Sequence, residues 1–425
     1  MSSLHSPITI GGCVIRNRLY RAPVLEGAGE RPDGPEVYRR AFEENARAGV
    51  GLIIQGNSCI TDEGRSSPGM SQVNTRERTL ALSEVTRAIH AHGGRIFLQI
   101  GHAGIYAMEG WHATYAATRA APLIAVSKPP IHVRPALRGV PIHVLSTEEI
   151  YELAEAFGRS AGWAREAGYD GIQIASSNAK LIHQFLSPYY NRRADEFGGS
   201  VRNRARILEL LAETIRRHAG EDYPLTVKIP IGEDAPPMAP HTTFDEGIEL
   251  CKLAEAFGYH AVTPVGLSVF PHGSLCRGGY PSSIDDTESI KRRYEVALGG
   301  SKLKMRVLRW GYKRAAKTYP FAPVWNQPFF SAAKKAVTIP VFAVGGIRTH
   351  DEAVRILDNG EADMVGVGRP FYAEPELPMR ILGRDTETAL CESSNRCLPP
   401  QMLGMKAACY NPNVARKRAA MRAAD

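Results

Sequence analysis

Short apolar segments alternate with amphipathic segments along most of this chain, and this alternation limits the folds that it can adopt. Eight apolar runs are rich in β-branched residues and lack strict alternation of apolar and polar positions. That composition is typical of parallel strands covered by helices on both faces. The predicted strands are Leu19–Ala22, Gly51–Gln55, Arg95–Ile100, Gly171–Ile174, Leu225–Ile229, Ala261–Pro264, Val341–Val344 and Met364–Val367.

Between the predicted strands lie segments whose apolar residues recur at helical spacing. Start signals such as Ser146 precede several of them, and a glycine such as Gly220 follows. The predicted helices are Glu36–Ala48, Thr75–His92, Thr147–Ala167, Val201–Ala219, Phe244–Ala256, Phe329–Val337 and His350–Asn359. Eight strands that each precede a helix or a long loop predict an α/β fold, the (β/α)8 or TIM barrel.

An open, doubly wound parallel sheet is the alternative fold. It would normally have a glycine-rich turn after its first strand, whereas the first predicted strand here runs into Arg21–Leu25. The hairpin pattern at residues 8–15 is expected to plug the N-terminal end of the barrel. The barrel interpretation therefore explains more of the sequence.

Length alone, 425 residues, would suggest about three domains. A single barrel reaches this size when its loops carry insertions. We predict a barrel domain over 1–385, with long loops after strands 3 and 6 and a basic insertion at 268–322. Residues 386–425 are predicted to form a C-terminal extension.

Positive charge is concentrated in one segment. The formal net charge is +8, and residues 291–317 hold ten Lys and Arg against one acidic residue, Glu295. Apart from this segment and the basic tail 411–425, the chain is slightly acidic, which argues against a nucleic-acid partner. The seven scattered cysteines do not suggest a disulfide framework. With neither a signal-peptide pattern nor a long apolar run, a cytoplasmic protein without integral membrane contact is expected.

Two glycine turns favour a phosphate site. Gly345-Gly346 follows the seventh predicted strand, and Gly368-Arg369 follows the eighth. Glycine lets backbone N–H groups approach a phosphate closely, a helix N-terminus adds its dipole, and Arg369 adds positive charge. The alternative is that these glycines only form tight turns between strands and helices.

From about residue 5 to 385 the sequence resembles the old yellow enzyme family of FMN-dependent NAD(P)H oxidoreductases. The resemblance is carried, in order, by SPITIGGCVIRNRLYRAPV, GVGLIIQGN, GGRIFLQIGHAG, AGYDGIQIASSNAKLIHQFLSPYYNRRADEFGGSVRNRARILEL, VGGIRT and ADMVGVGRPF. The part NRRADEFGGSVRNRAR is highly specific to this family. The resemblance implies a TIM barrel, bound FMN, and NAD(P)H as the reductant.

The resemblance also implies where FMN binds. The isoalloxazine ring would lie against the backbone of Pro23 and Gly56, with Gln99 and Lys228 at its pyrimidine edge. A cation at that edge stabilises the reduced ring; the alternative for Lys228 is a solvated or ion-paired lysine. The cofactor phosphate would bind the backbone of Gly345, Gly346, Gly368 and Arg369.

The stretch after the fourth predicted strand departs from the family pattern. Relatives usually have a His, then a His or Asn three residues on, then a Tyr; the first two hold a substrate oxygen and the Tyr donates a proton. Here these positions are Ala175, Asn178 and Lys180. We expect Asn178 to orient the substrate and Lys180 to donate the proton, because Lys and Tyr have similar reference pKa values. The alternatives for Lys180 are an anion-binding residue and a surface lysine.

The C-terminal segment resembles the iron–sulfur loop of larger relatives of the dienoyl-CoA reductase and trimethylamine dehydrogenase types. Cys391, Cys397 and Cys409 remain, whereas Ser394 stands at the position of a fourth cysteine. Three thiolates match a four-cysteine cluster poorly. We therefore expect a degenerate loop without a metal, and the alternatives are a serine-ligated cluster and zinc.

Residues 302–317 predict a basic helix on which Leu303, Val307 and Trp310 share one face. We expect this face to pack on the barrel and the basic side chains to be solvated. The alternatives are a lid that binds an anionic substrate or cofactor phosphates, and a helix on a membrane surface. Three residues before this helix are expected near the substrate cavity: His272, Cys276 and Tyr280.

These features and the resemblance together predict an ene-reductase. Hydride would pass from NAD(P)H through flavin N5 to an activated C=C bond of a small-molecule substrate, for which the basic segment favours an anion. The alternatives are flavin-dependent desaturation, C–N oxidation, and a flavin-binding protein with little turnover. A homo-oligomer is compatible with the sequence.

Overall fold

The protein is described from a computed structural model over residues 3–119, 121–383 and 387–424. Its strands are β1 (Ile8–Ile10), β2 (Cys13–Ile15), β3 (Leu19–Arg21), β4 (Leu52–Cys59), β5 (Ser71–Gln72), β6 (Arg95–Gly101), β7 (Leu123–Ala125), β8 (Ile142–Val144), β9 (Gly171–Ile174), β10 (Leu225–Asp234), β11 (Ala261–Ser268), β12 (Phe342–Val344) and β13 (Met364–Val367).

Eight of these strands follow one another in the order β11, β10, β9, β6, β4, β3, β13 and β12. Neighbouring strands in this order pair in parallel. A parallel bridge between Val262 of β11 and Val341, next to β12, joins the two ends of the sheet. The predicted (β/α)8 barrel is confirmed, and the open doubly wound alternative is wrong.

The helices are α1 (Gly34–Arg47), α2 (Arg76–Leu80), α3 (Ser83–Ala91), α4 (Ala113–Arg119), α5 (Thr147–Glu166), α6 (Leu181–Leu186), α7 (Val201–Ala219), α8 (Phe244–Ala256), α9 (Ser283–Asp286), α10 (Glu288–Ala297), α11 (Lys302–Thr318), α12 (Gln327–Ala336), α13 (His350–Asp358), α14 (Pro370–Ala373), α15 (Leu377–Leu382), α16 (Leu398–Met402) and α17 (Pro412–Ala424). Capping boxes at Ser146, Thr243 and Thr349 satisfy backbone donors where α5, α8 and α13 begin.

Side chains alternate between the inside and the outside of the barrel strands. Inside, Tyr20 and Phe342 pack in one buried cluster with Ile10 and Ile15 of the antiparallel hairpin β1–β2. Outside, Leu19 and its equivalents on the other strands join the cluster that packs against the surrounding helices. The predicted N-terminal hairpin plug is therefore confirmed, and the C-terminal end of the barrel is left for the site.

The two long loops leave the C-terminal ends of strands three and six, as predicted. The loop after β6 carries α4 and the small parallel sheet of β7 and β8. The loop after β11 carries α9, α10 and α11. Ile290, Tyr294 and Met305 of this second loop pack with Leu403 of the C-terminal segment in a separate buried cluster.

The expected packing of the apolar face of α11 is wrong. Leu303, Val307 and Trp310 are 67%, 57% and 61% exposed. The helix packs instead through its other side, where Met305 is buried and Tyr312 packs against the same cluster. The helix has apolar residues on two opposite sides, and the side that carries Met305 and Tyr312 faces the protein.

The boundary between barrel and extension that the sequence places at residues 385 and 386 lies outside the described residues. On the C-terminal side of that gap, Val414 of α17 is buried. In the described part of the chain, every helix is too short or too polar to cross a bilayer.

Candidate active site

One cavity of about 250 Å³ lies at the C-terminal ends of the barrel strands. The segments that follow β3, β4, β9, β11, β12 and β13 contribute to its wall, and β6 and β10 contribute Gln99 and Lys228 from the strands themselves. All ten residues that the sequence analysis assigned to the site line this cavity: Pro23, Gly56, Gln99, Asn178, Lys180, Lys228, Gly345, Gly346, Gly368 and Arg369. The structure therefore brings together residues that are spread over about 350 positions of the chain.

The glycine turn after β12 forms one end of the cavity. Gly345 and Gly346 have φ angles of +119° and +88°, which favour glycine. A Cβ atom on Gly346 would lie 2.6 Å from the carbonyl oxygen of Ala322. The turn therefore requires glycine twice, and it leads directly into the N-terminus of α13 after Thr349.

Two arginines lie at the same end of the cavity. Arg369 donates from Nη2 to the carbonyl oxygen of Arg277 at 2.8 Å and from Nη1 to Asn395 Oδ1. Arg348, which the sequence analysis missed, donates to Ser393 Oγ. Neither guanidinium has a carboxylate partner among the described residues. Burial, and then the positive charge of Arg369, lower the pKa of Arg348, so an anion between the two would be strongly favoured.

Gln99 of β6 and Lys228 of β10 line the cavity from the barrel strands. Gln99 Nε2 donates to Gln173 Oε1 at 2.8 Å, which fixes the orientation of the Gln99 amide. Lys228, on β10, has no ion-pair partner in the described part of the chain. Burial lowers the pKa of Lys228 to about 8, and a negative group in the cavity would favour its charged form.

A buried hydrogen-bond chain sets the conformation of the turn that carries Asn178. Asn178 and Ala179 have φ angles of +57° and +55°. The N–H of Ala179 donates to His183 Nδ1 at 2.8 Å. His183 therefore carries its proton on Nε2, which bonds to Glu233 at the end of β10. This chain holds the turn after β9 against the neighbouring strand.

Asn178 is bonded to a histidine from a different loop. Its Oδ1 accepts from the backbone N–H of His272 at 2.5 Å, and its Nδ2 lies 3.4 Å from His272 Nδ1. Because an amide nitrogen only donates, Nδ1 accepts and Nε2 carries the proton of the neutral ring. Burial, and then the charge of Lys180, lower the pKa of His272 to about 3, so the ring remains neutral.

Lys180 is a buried lysine in the wall of the cavity. It is 6% exposed, and its ammonium has neither a hydrogen-bond nor an ion-pair partner among the described residues. Burial lowers the pKa of Lys180 to about 8. The alternative interpretation as a surface lysine is therefore wrong.

The loop after β11 reaches the cavity at several points. His272 and Cys276 line it, as expected, and Tyr312 of α11 lines it although the sequence analysis did not include it. Tyr280 is directed elsewhere, since its hydroxyl donates to Asp285 Oδ2 at 2.6 Å. The basic helix is thus part of the wall of the cavity.

The cysteine loop surrounds a smaller cavity next to Arg369, lined by Cys391, Ser394, Cys397 and Cys409. Ser394 Oγ accepts from Asn411 Nδ2 at 3.3 Å. Burial raises the pKa of the Cys397 thiol to about 12. Among the described residues, no group of three His, Cys, Asp or Glu side chains could hold a metal ion together.

Comparison with known proteins gives the family. The NADH:flavin oxidoreductase / NADH oxidase family matches residues 3–262 and 285–386. A metal reductase of Desulforamulus reducens is 30% identical over 401 residues, which are 94% of this chain and 52% of that protein. A cinnamate reductase of Clostridium sporogenes is 28% identical over 401 residues, 89% of this chain and 52% of that protein. This chain thus spans about half the length of these relatives.

A solved structure supports the fold. Morphinone reductase in complex with tetrahydroNAD has a TM-score of 0.63 and 21% identity, and the match covers 91% of this chain and 92% of that chain. At this identity the likeness shows the barrel fold. The sequence match and the fold agree: the chain belongs to the NADH:flavin oxidoreductase / NADH oxidase family, the flavoproteins of the old yellow enzyme type.

Proposed function

We propose that this protein is an FMN-dependent ene-reductase that uses NAD(P)H to reduce an activated C=C bond in an anionic small molecule, such as an α,β-unsaturated carboxylate. The observation that carries this proposal is the ammonium of the buried Lys180, which lies in the wall of the cavity beside the neutral His272 and has no ion-pair partner among the described residues. A buried cation without a carboxylate favours a negative ligand group. The cinnamate reductase named above acts on a compound of this class.

The residues of the cavity fit FMN. Arg348 and Arg369, with the glycine turn, form an anion site of the kind that a phosphate needs. Asn57 and Gln401 line the cavity, and Asn57 Oδ1 and Gln401 Nε2 are buried without a hydrogen-bond partner in the part of the chain that the structure describes. A ring system with carbonyl and N–H groups would satisfy such atoms. When bound, FMN supplies hydride transfer between NAD(P)H and the substrate.

The remaining cofactor roles belong to this proposal as well. Pro23 and Gly56 would face the isoalloxazine ring, and Gln99 and Lys228 would bond to its pyrimidine edge. Gly345, Gly346, Gly368 and Arg369 would bind the phosphate. Each of these residues lines the same cavity, and a cavity that combines an amide and a lysine with two arginines and a glycine turn suits a flat polar ring that carries a phosphate.

The substrate would be held by a pair of residues that differs from the family pattern. Ala175 has no donor, whereas His272 Nε2–H is a donor that the loop after β11 adds to the cavity. Asn178 orients His272 and leaves one amide N–H for the substrate. Lys180 would then donate the proton that completes reduction of the double bond.

Cinnamate and NAD(P)H test the proposal. The purified protein should show bound flavin by its visible spectrum, and anaerobic NADH or NADPH should bleach it. Cinnamate should then restore the colour in the wild type and do so at least about a hundredfold more slowly in Lys180→Met. Lys252→Met, on the exposed side of α8, is the matched control and should behave as wild type. Colourless protein that FMN does not reconstitute, or unchanged kinetics in Lys180→Met, would contradict the proposal.

We also propose that residues 386–425 are an extension whose cysteine loop no longer binds a cluster. Its donor set is three thiols and the Ser394 hydroxyl, which already accepts from Asn411. Iron and zinc analysis of protein purified without oxygen should give less than one metal per chain. Stoichiometric iron that is lost in Cys397→Ala would contradict this.

A further inference from the structure

The outer face of α11 carries three exposed apolar side chains, Leu303, Val307 and Trp310, which we call the α11 stripe. They lie opposite Met305 and Tyr312, through which the helix packs on the protein. This arrangement follows from helical spacing, since residues 303, 307 and 310 share one side. A Trp, a Leu and a Val grouped on one exposed side of a helix indicate an interaction surface.

The charges around the stripe have one sign. α11 contains seven Lys and Arg residues and no Asp or Glu. Six of them are exposed and have no ion-pair partner among the described residues: Lys302, Lys304, Arg306, Lys313, Arg314 and Lys317. Arg309 pairs with Asp285 at 2.8 Å, and the Arg314 guanidinium lies 5.7 Å from the centre of the Trp310 ring. The stripe is therefore bordered by free positive charge.

We propose that α11 lies on the surface of a bilayer that contains anionic phospholipid. The α11 stripe would enter the boundary between head groups and acyl chains, and the surrounding Lys and Arg would bind lipid phosphates. Trp, Leu and Val combined with many Lys and Arg are typical of helices that lie in this interface. The proposal does not depend on the proposed function.

A second copy of this chain suits the surface less well. A symmetric dimer through the α11 stripe would place two helices, each with seven basic residues, against each other. Like charges at such a contact disfavour it. An anionic bilayer offers the opposite charge over the whole width of the helix.

Membrane binding through α11 would affect the cavity, because the same helix carries the α11 stripe on its outer side and contributes to the cavity wall on its inner side. Tyr312, on the inner side of α11, lines the cavity, and Cys276 of the preceding loop lies in the same wall. The helix that contacts lipid would thus be the helix that covers the site. A substrate that partitions into the interface would reach the cavity at the membrane.

Sedimentation with vesicles tests the proposal on the flavin-loaded full chain. Vesicles of phosphatidylcholine with phosphatidylglycerol should bind the protein about tenfold or more strongly than vesicles of phosphatidylcholine alone. Added salt should weaken this binding, because it screens the basic residues. Lack of binding to the phosphatidylglycerol vesicles would overturn the proposal.

Three sets of variants distinguish vesicle binding through α11 from binding caused by the overall positive charge of the protein. Leu303→Ser/Val307→Ser/Trp310→Ser and Lys302→Gln/Lys304→Gln/Arg306→Gln should each lose most of the binding while flavin content and circular dichroism stay unchanged. Arg87→Gln/Lys252→Gln/Lys335→Gln, which removes three exposed basic residues from α3, α8 and α12, is the matched control and should bind as wild type. The proposal would be overturned if the control lost as much vesicle binding as the α11 variants. It would also be overturned if light scattering showed that the wild type is a dimer and the stripe variant a monomer. This second result would show that the α11 stripe binds another copy of the chain.

Discussion

At the scale of single residues, the buried position of Lys180 predicts how the reaction depends on pH. Burial lowers the pKa of Lys180 to about 8, because the cavity disfavours the charged amine. The protonated form is the donor, so the rate of substrate reduction should fall as pH rises through about 8. Stopped-flow rates with cinnamate at a series of pH values measure this.

The control for this prediction is the reductive half-reaction with NAD(P)H, which does not use the Lys180 proton. The rate of flavin reduction should not fall as pH rises through about 8. Lys180→Met should abolish this fall in the rate of substrate reduction. A pH profile that stays the same in Lys180→Met would show that another group titrates.

The hydrogen bonds between Asn178 and His272 lead to a second prediction. The effects of replacing the two residues on the rate of substrate reduction should not be additive. Removing one donor to a substrate oxygen typically costs about 10²–10³ in rate. His272→Ala should therefore slow substrate reduction by this factor and leave flavin content unchanged. Asn178→Ala removes both hydrogen bonds that orient His272 as well as its own donor to the substrate. The double variant should therefore be slower than His272→Ala, but less slow than the product of the two single losses. Losses that multiply would show that the two residues act separately.

All ten residues that were assigned from the sequence line the cavity, whereas Arg348 and Tyr312, which also line it, were missed. The ten assigned residues lie in motifs next to barrel strands, so a barrel brings them to one end. Arg348 could have been found from its place two residues after the glycine turn, at the start of α13. Tyr312 could not, since it is 40 residues after His272 along an irregular loop whose course no local pattern fixes.

At the scale of secondary-structure elements, Arg21 joins β3 to α1. Its Nη2 pairs with Glu26 at 2.7 Å, with both side chains buried, and its Nη1 donates to the carbonyl oxygen of Ala41 at 3.1 Å. Arg21→Met should lower the free energy of unfolding by about 3–5 kcal/mol, because it leaves the Glu26 carboxylate buried and unpaired. Urea denaturation followed by circular dichroism measures this.

The matched control for Arg21→Met is Arg31→Met. Arg31 forms its ion pair with Asp33 at 2.7 Å on the surface, where the side chains are 44% and 55% exposed. That substitution should change the free energy of unfolding by at most about 1 kcal/mol. Equal effects of the two variants would contradict the importance assigned to burial.

The bounds of helices and strands were predictable where the apolar residues of a segment follow a single periodicity. β9 and β13 and the helices α7 and α8 have the predicted bounds. The predicted helix at Thr75–His92 is two helices, α2 and α3, separated at Ala81 and Leu82. The orientation of α11 was not predictable, because it has apolar residues on two opposite sides and periodicity does not say which side meets the protein.

At the scale of the whole molecule, the loop after β11 rests on the C-terminal segment. Asn395 Nδ2 donates to the carbonyl oxygen of Cys276 at 2.8 Å, and the N–H of Gly279 donates to that of Ser393 at 2.8 Å. The residues around the cysteine loop therefore support the loop that covers the cavity. This structural role gives the extension a use that does not need a metal.

The same arrangement predicts that Arg396 stabilises the covering loop as a unit. Its Nη2 pairs with Asp286 Oδ1 of α9 at 2.7 Å, and its Nε donates to the carbonyl oxygen of Tyr410 at 2.7 Å. Arg396→Ala removes charge-assisted hydrogen bonds worth about 1–2 kcal/mol, which should speed amide exchange about tenfold in peptides covering 283–318. Peptides from α5, on the barrel, should exchange as in wild type, and Arg202→Ala, which breaks a surface pair with Glu209, should leave 283–318 unchanged. Unaltered exchange in 283–318 would mean that Arg396 does not hold the loop, and that the packing of Ile290, Tyr294 and Met305 against Leu403 holds it instead.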